Sequence, residues 1–317
     1  MGRRSVVHVV AVVLLVGALL AAAAGLQRVR EERYPSTALV DSSLYITSGK
    51  TLRRLTAGYN ALAADVYWIR AIQYYGDIKL KQGDVAPTVG PVRGAPADYS
   101  LLYPLLDLTT SLDPRFNIAY RFGSIFLAEG YPGGAGQPEL AIALLEKGLR
   151  ERPDKWEYME DIGFVYYWWI HDYHAAADWF NRASQLPGAP WWLRSMAATT
   201  LLEGGDRQSS RTMWEAIRQS AENDWLRRDA ERRLSQLVAL DQIAALQNLV
   251  DQLTKRDGTP PSGWTPLLGG HPLAGAPVDP AGTPYEIDAS GRVRLSTKSP
   301  LFPIPLEPQR LENSQGP

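Results

Sequence analysis

The sequence predicts an all-α protein. Between Tyr99 and Lys255, helix-length stretches alternate with breakers at Asp113-Pro114, Tyr131-Pro132-Gly133-Gly134, Arg152-Pro153-Asp154, Pro187-Gly188-Ala189-Pro190 and Gly204-Gly205-Asp206. Gly and Pro punctuate helices because one reaches left-handed conformations and the other lacks an amide hydrogen. Apolar residues recur at helical spacing, as in Leu52, Leu55, Leu62, Val66, Ile69, Ile72 and Tyr75. No sustained period-two alternation, the mark of a half-buried strand, interrupts residues 99–255.

Four regions follow from composition. Residues 1–33 form an N-terminal transmembrane anchor, because Ser5 to Leu26 is a run without a formal charge, preceded by Arg3 and Arg4. About 20 residues at about 1.5 Å rise cross a bilayer core. A cleaved signal sequence is the alternative, with Ala21 to Gly25 supplying small residues. Signal-anchor placement leaves the N-terminus in the cytoplasm and the rest of the chain on the non-cytoplasmic side, periplasmic or extracellular. Residues 34–98 are a linker, one long helix over Thr51 to Lys81, and a Gly/Pro-rich loop from Gly83 to Pro96. Residues 99–256 carry the helical array, with Asp224 to Lys255 expected as a closing helix pair. Residues 257–317 are a Pro/Gly-rich tail with one hairpin, Tyr285-Glu286-Ile287 against Arg292-Val293-Arg294.

Three stretches repeat a pattern. Phe122-Gly123 is followed by Phe126, then Ala141, Leu145, Gly148 and Pro153. Ile162-Gly163 is followed by Tyr166, then Tyr173, Ala176, Phe180, Ala183 and Pro187. Ala197-Ala198 is followed by Leu201, Gly205-Asp206, Ser210, Trp214 and Ile217. Small residues let helix backbones approach, and large ones fill the neighbouring groove. Over Arg115 to Ala221 this resembles the tetratricopeptide repeat, a helix–turn–helix unit of about 34 residues. The resemblance implies a right-handed helical solenoid with a concave groove that holds a protein or peptide. On that implication Phe164, Tyr167 and Trp168 line the groove in the second unit. Asn117, Tyr120 and Ser124 line it in the first, and Trp192, Ser195 and Thr199 in the third. The other reading has these aromatics pack against the N-terminal helix or the tail.

A second resemblance lies downstream. Asp279-Pro280-Ala281-Gly282-Thr283-Pro284-Tyr285 is similar to a stretch near the C-terminus of type II secretion major pseudopilins. The family's Trp and Asn are replaced by Ala281 and Thr283, and no carboxylate cluster follows, so its calcium site is not carried over.

Charge and motifs narrow the function. Thirty-three Lys and Arg balance 34 Asp and Glu, a net charge of −1, which gives no global basic excess for nucleic acid. The absence of cysteine removes disulfides and thiolate metal sites. His171, His174 and Asp178 would share a face on one continuous helix, but the repeat pattern places His171-Asp172 in a turn, with Asp172 as a helix N-cap. No nucleophile elbow or phosphate-cradling glycine loop occurs. The expectation is a membrane-tethered scaffold in an export or cell-surface assembly, with no cofactor, no metal and no catalytic residues. A structural subunit of a membrane complex or filament, self-associating as a homo-oligomer, is the alternative, and an enzyme the third reading.

Overall fold

The computed structural model describes residues 15–26, 28–29, 48–82, 99–131, 133–268, 275–305 and 307. The chain divides into two compact units, 1–47 and 48–317. In the first, residues 15–26 and 28–29 are helical and exposed. Among the described residues no helix is long and apolar enough to cross a membrane, and residues 5–14 of the apolar run lie outside them. The expected loop over Gly83 to Pro96 also lies outside the described residues.

The second unit is built mostly of helices. The long helix expected over Thr51 to Lys81 is two, α1 (Gly49–Leu55) and α2 (Asn60–Gln82). Ala57 at φ 48° and Gly58 at φ 97° are consecutive left-handed residues, and two of these end a right-handed helix. Next come α3 (Leu102–Leu112), α4 (Asn117–Ala128), α5 (Pro138–Glu151) and α6 (Trp156–Val165). A single π-turn, Tyr166–Ile170, extends α6. Then follow α7 (Tyr173–Ser184), α8 (Trp192–Glu203) and α9 (Arg207–Ser220).

From α2 to α10 each helix packs against the next in sequence order, while α1 packs on α3. Glycines make the contact where the repeat pattern places them. A Cβ on Gly163 would lie 2.5 Å from the Phe180 ring, and one on Gly123 would lie 2.8 Å from Leu106. A Cβ on Gly148 would lie 2.9 Å from the Tyr158 ring and 3.0 Å from the Tyr120 ring. Those rings fill the space that a side chain would need.

The expected closing pair is one helix, α10 (Asp224–Asp257), 34 residues long. No Gly or Pro lies within it, so nothing breaks its hydrogen-bond ladder until Gly258, at φ 76°, ends it. Its first half closes the array: Ala230, Leu237 and Leu240 share a core with Ala198, Leu202, Trp214 and Ile217. Its second half carries the tail.

The described residues of the tail pack on α10. Tyr285, Val293, Leu295 and Leu301 are buried against Ala239, Leu246, Val250 and Leu253 of α10. A short helix, α11 (Thr265–Leu268), adds Leu267 to this core. The expected hairpin is present: β1 (Glu286–Ile287) pairs antiparallel with β2 (Val293–Arg294). Three glutamines of α10 bind the tail's polar groups. Gln236 donates to the carbonyls of Leu301 and Pro303, at 2.8 and 2.9 Å. Gln242 accepts the Tyr285 hydroxyl at 2.6 Å, and Gln247 accepts the Val293 amide at 2.7 Å. The stretch from Asp279 to Tyr285 holds a turn fixed by Asp279, whose carboxylate accepts the amides of Ala281 and Thr283, at 2.8 and 2.9 Å.

Candidate binding pocket

The site is assembled where α6 ends irregularly. The π-turn widens the helix by one residue and closes on His171, at φ 59°, whose amide reaches the Tyr166 carbonyl. Asp172 then caps α7 by accepting the Ala175 amide at 2.9 Å, as its place in the turn predicts. A π-turn displaces the side chains on it from the α-helical stripe and is frequent at functional sites. Here it brings Tyr167 and Trp168 out beside Phe164. Phe164 and Trp168 stack at 4.6 Å between centroids with planes 10° apart, and Tyr167 meets Trp168 edge-on at 5.9 Å.

Opposite stand α8 and the start of α10. Trp191 and Trp192 open α8, and Trp225 sits one residue into α10. Trp191 and Trp225 meet edge to face at 5.2 Å. Between these walls lies a cavity of about 550 Å³. Its size and mostly apolar, aromatic lining are those of ligand-binding pockets. Trp168, Trp191 and Trp225 at its mouth are each more than half exposed.

Polar groups interrupt the apolar wall at set points. The Tyr167 hydroxyl donates to a Glu203 carboxylate oxygen at 2.6 Å. Burial, reinforced by Glu203, pushes the Tyr167 phenol up to about 12. Asp229 and Arg233 form an ion pair one turn apart on α10, 3.9 Å between heavy atoms. The Arg233 guanidinium also lies 5.9 Å from the Trp214 ring centre. Ser195 Oγ is enclosed without a hydrogen-bond partner, and Arg233 Nε is the atom that faces Asp229 in the ion pair. The serine leaves hydrogen-bonding capacity beside an apolar pocket.

Six of the nine expected groove residues gather here: Phe164, Tyr167, Trp168, Trp192, Ser195 and Thr199. The other three do not. Tyr120 and Ser124 are buried, with 0% and 1% exposure. Tyr120 fills the gap that Gly148 leaves and lies 5.1 Å from the Tyr158 ring. Ser124 turns its hydroxyl onto the Arg121 carbonyl. Asn117 is half-buried, its side-chain oxygen enclosed. The solvent face of α4 instead carries Ile118, Phe122 and Ile125. The buried face of α4 contacts three neighbouring helices, which claims the positions assigned to a groove.

The far wall is not among the expected groove residues. Trp225, Asp229 and Arg233 are spaced by four and so share one face of α10, a signal that a helix pair over that segment would hide. The aromatics turn toward the start of α10. Among the described residues no group of three His, Asp or Glu side chains could hold a metal ion.

Outside the pocket lining, Arg121 of α4 bridges to α6. It donates to both Asp161 carboxylate oxygens, at 2.6 and 2.9 Å, and lies 3.4 Å from Glu160. Burial, with Asp161 adding to it, pushes Glu160 up to about 7, while Arg121 opposes the shift.

Comparison with protein-family models, with curated proteins and with solved structures finds no match for this chain.

Proposed function

We propose that this protein is a membrane-tethered scaffold of the tetratricopeptide type whose pocket binds an apolar segment of a protein partner. The aromatic cavity between the π-turn, α8 and α10 carries this reading. Tryptophans exposed around a concave apolar site supply large contact area at low entropic cost, and such residues dominate binding energy at protein interfaces. The Ser195 hydroxyl, without a partner of its own, suits a backbone carbonyl of an extended segment. The helices that pack in sequence order, with glycines at their contacts, support the repeat assignment. The uncharged run from Ser5 to Leu26 supports the anchor.

Photo-crosslinking at the pocket mouth tests it. A photoreactive residue in place of Thr199 should trap a discrete partner in membranes of the source cells. Trp168→Ala with Trp225→Ala should abolish that adduct while helicity and thermal unfolding stay near wild type. Capture of the same partner at undiminished yield by a folded double variant refutes the pocket as the binding site.

A further inference from the structure

Helix α2 has two apolar faces. One, with Ala64, Ala71, Tyr74 and Ile78, is buried. The opposite one exposes Leu62, Val66 and Ile69 to 62%, 50% and 51%. These lie at spacings of four and three, a continuous stripe along the helix. Helix α4 runs beside α2, since Tyr75 stacks on Phe126 at 4.2 Å and Trp68 at 6.4 Å. It too exposes an apolar stripe, Ile118, Phe122 and Ile125, to 52%, 52% and 44%. Side chains of this size are ordinarily covered when they occur in rows.

Charge distinguishes what covers them. Residues 48–82 hold six Lys and Arg against two Asp, in a chain whose overall charge is −1. Lys50, Arg53 and Arg54 are exposed on α1, which has no acidic residue. One of the two acids, Asp77, is tied to Lys81 at 2.6 Å. A second copy seated face to face would oppose like charges across the contact. An exposed apolar stripe on a segment with a basic excess is instead the pattern of a helix lying in the interface of an anionic bilayer. Chain length agrees: the apolar run ends at Leu26 and α1 begins at Gly49, a tether that spans about 75 Å at most.

We propose that the exposed apolar stripe of α2, with the basic residues of α1, docks onto an anionic phospholipid surface. Basic side chains of α1 meet the headgroups, while Leu62, Val66 and Ile69 enter the acyl boundary. Docking would hold the exposed stripe of α2 against the bilayer. The proposal shares only the membrane anchor with the function given above and does not need the pocket to bind protein.

The chain has no cysteine, so Val66→Cys carries a single environment-sensitive fluorophore. The full-length protein is reconstituted with vesicles of phosphatidylcholine alone or mixed with phosphatidylglycerol. The label should shift to the blue and become accessible to lipid-borne quenchers on the mixed vesicles only. The same label at Glu231→Cys, exposed on α10, should not respond. Reversing Lys50, Arg53 and Arg54 to Glu should remove the shift at position 66 while the protein still floats with the vesicles through its anchor. An unchanged spectrum on mixed vesicles overturns docking, as does an equal shift on neutral vesicles. So does a shift that rises with protein concentration without lipid, which would assign the face to a second copy. Failure to float on neutral vesicles overturns the anchor alone, because the label reads this face independently.

Discussion

Tyr167, on the π-turn, donates its hydroxyl to Glu203, at the last turn of α8, and this bond joins the two walls of the pocket. Tyr167→Phe removes the donor and leaves a partly buried carboxylate without it. The expected cost is about 1 kcal/mol, since hydrogen bonds to charged groups are worth more than neutral ones and partial exposure reduces the gain. Urea unfolding of Tyr167→Phe, Glu203→Gln and the double variant measures the coupling. Strict additivity of the two single effects would mean that the bond contributes nothing.

Two glycine-to-alanine substitutions should have opposite signs. Gly163→Ala drives a methyl to within 2.5 Å of the Phe180 ring, and overpacking of this kind costs about 1–3 kcal/mol. Gly76→Ala lies in the interior of α2 with nothing within 4 Å of the new methyl, so helix propensity alone acts and stability should rise by about 0.5–1 kcal/mol. Thermal unfolding of both proteins reads the difference. A stable Gly163→Ala protein would show that the α6–α7 contact is looser than described.

Glu160 should make stability depend on pH near neutrality. Its folded pKa, about 7, lies above the ordinary value of 4.5, so between the two the folded state holds a proton that the unfolded state has released. Stability from this group is therefore present below about pH 4.5, falls as pH rises to about 7, and is level beyond. Glu160→Gln should flatten that slope and raise stability at pH 8 by about 1–2 kcal/mol relative to pH 5. Unfolding free energies at the two pH values decide it, and a slope that survives the substitution assigns the titration elsewhere.

Helix caps should contribute separately. Asp172, Asp206 and Asn223 each accept an amide of the first turn of α7, α9 and α10, at 2.8 to 2.9 Å. Alanine at each should cost about 1 kcal/mol, and the three should add, because they cap different helices. Chemical denaturation of single and triple variants provides the sum.

The tail should come loose when Gln236 is changed. Gln236 is buried and donates to two tail carbonyls, so Gln236→Leu leaves both without that donor, at about 2–3 kcal/mol. Limited proteolysis should then cut between Ser296 and Ile304 in the variant and spare that segment in the wild-type chain. Equal resistance in the variant would place the tail's attachment in its apolar core alone.

Much of this architecture is legible in local pattern. Helical spacing, Pro and Gly breakers, and the Asp172 cap each depend on a few neighbouring residues, so the sequence could state them without a tertiary frame. The hairpin at Glu286–Ile287 and Val293–Arg294 belongs to the same class. So does the placing of Gly123, Gly148 and Gly163 at helix contacts, because only a missing side chain admits so close an approach.

Rotation of each helix about its axis was decided elsewhere. Tyr120 and Ser124 are buried while Ile118 and Phe122 face solvent, an outcome fixed by three neighbours pressing on α4 and not by its own composition. The pocket likewise needed the unbroken α10 to bring Trp225 and Arg233 opposite Trp168, across nearly 60 residues of chain. Periodicity says that a helix has a face; only its partners, converging from distant parts of the chain, determine which face is covered and which is left to bind.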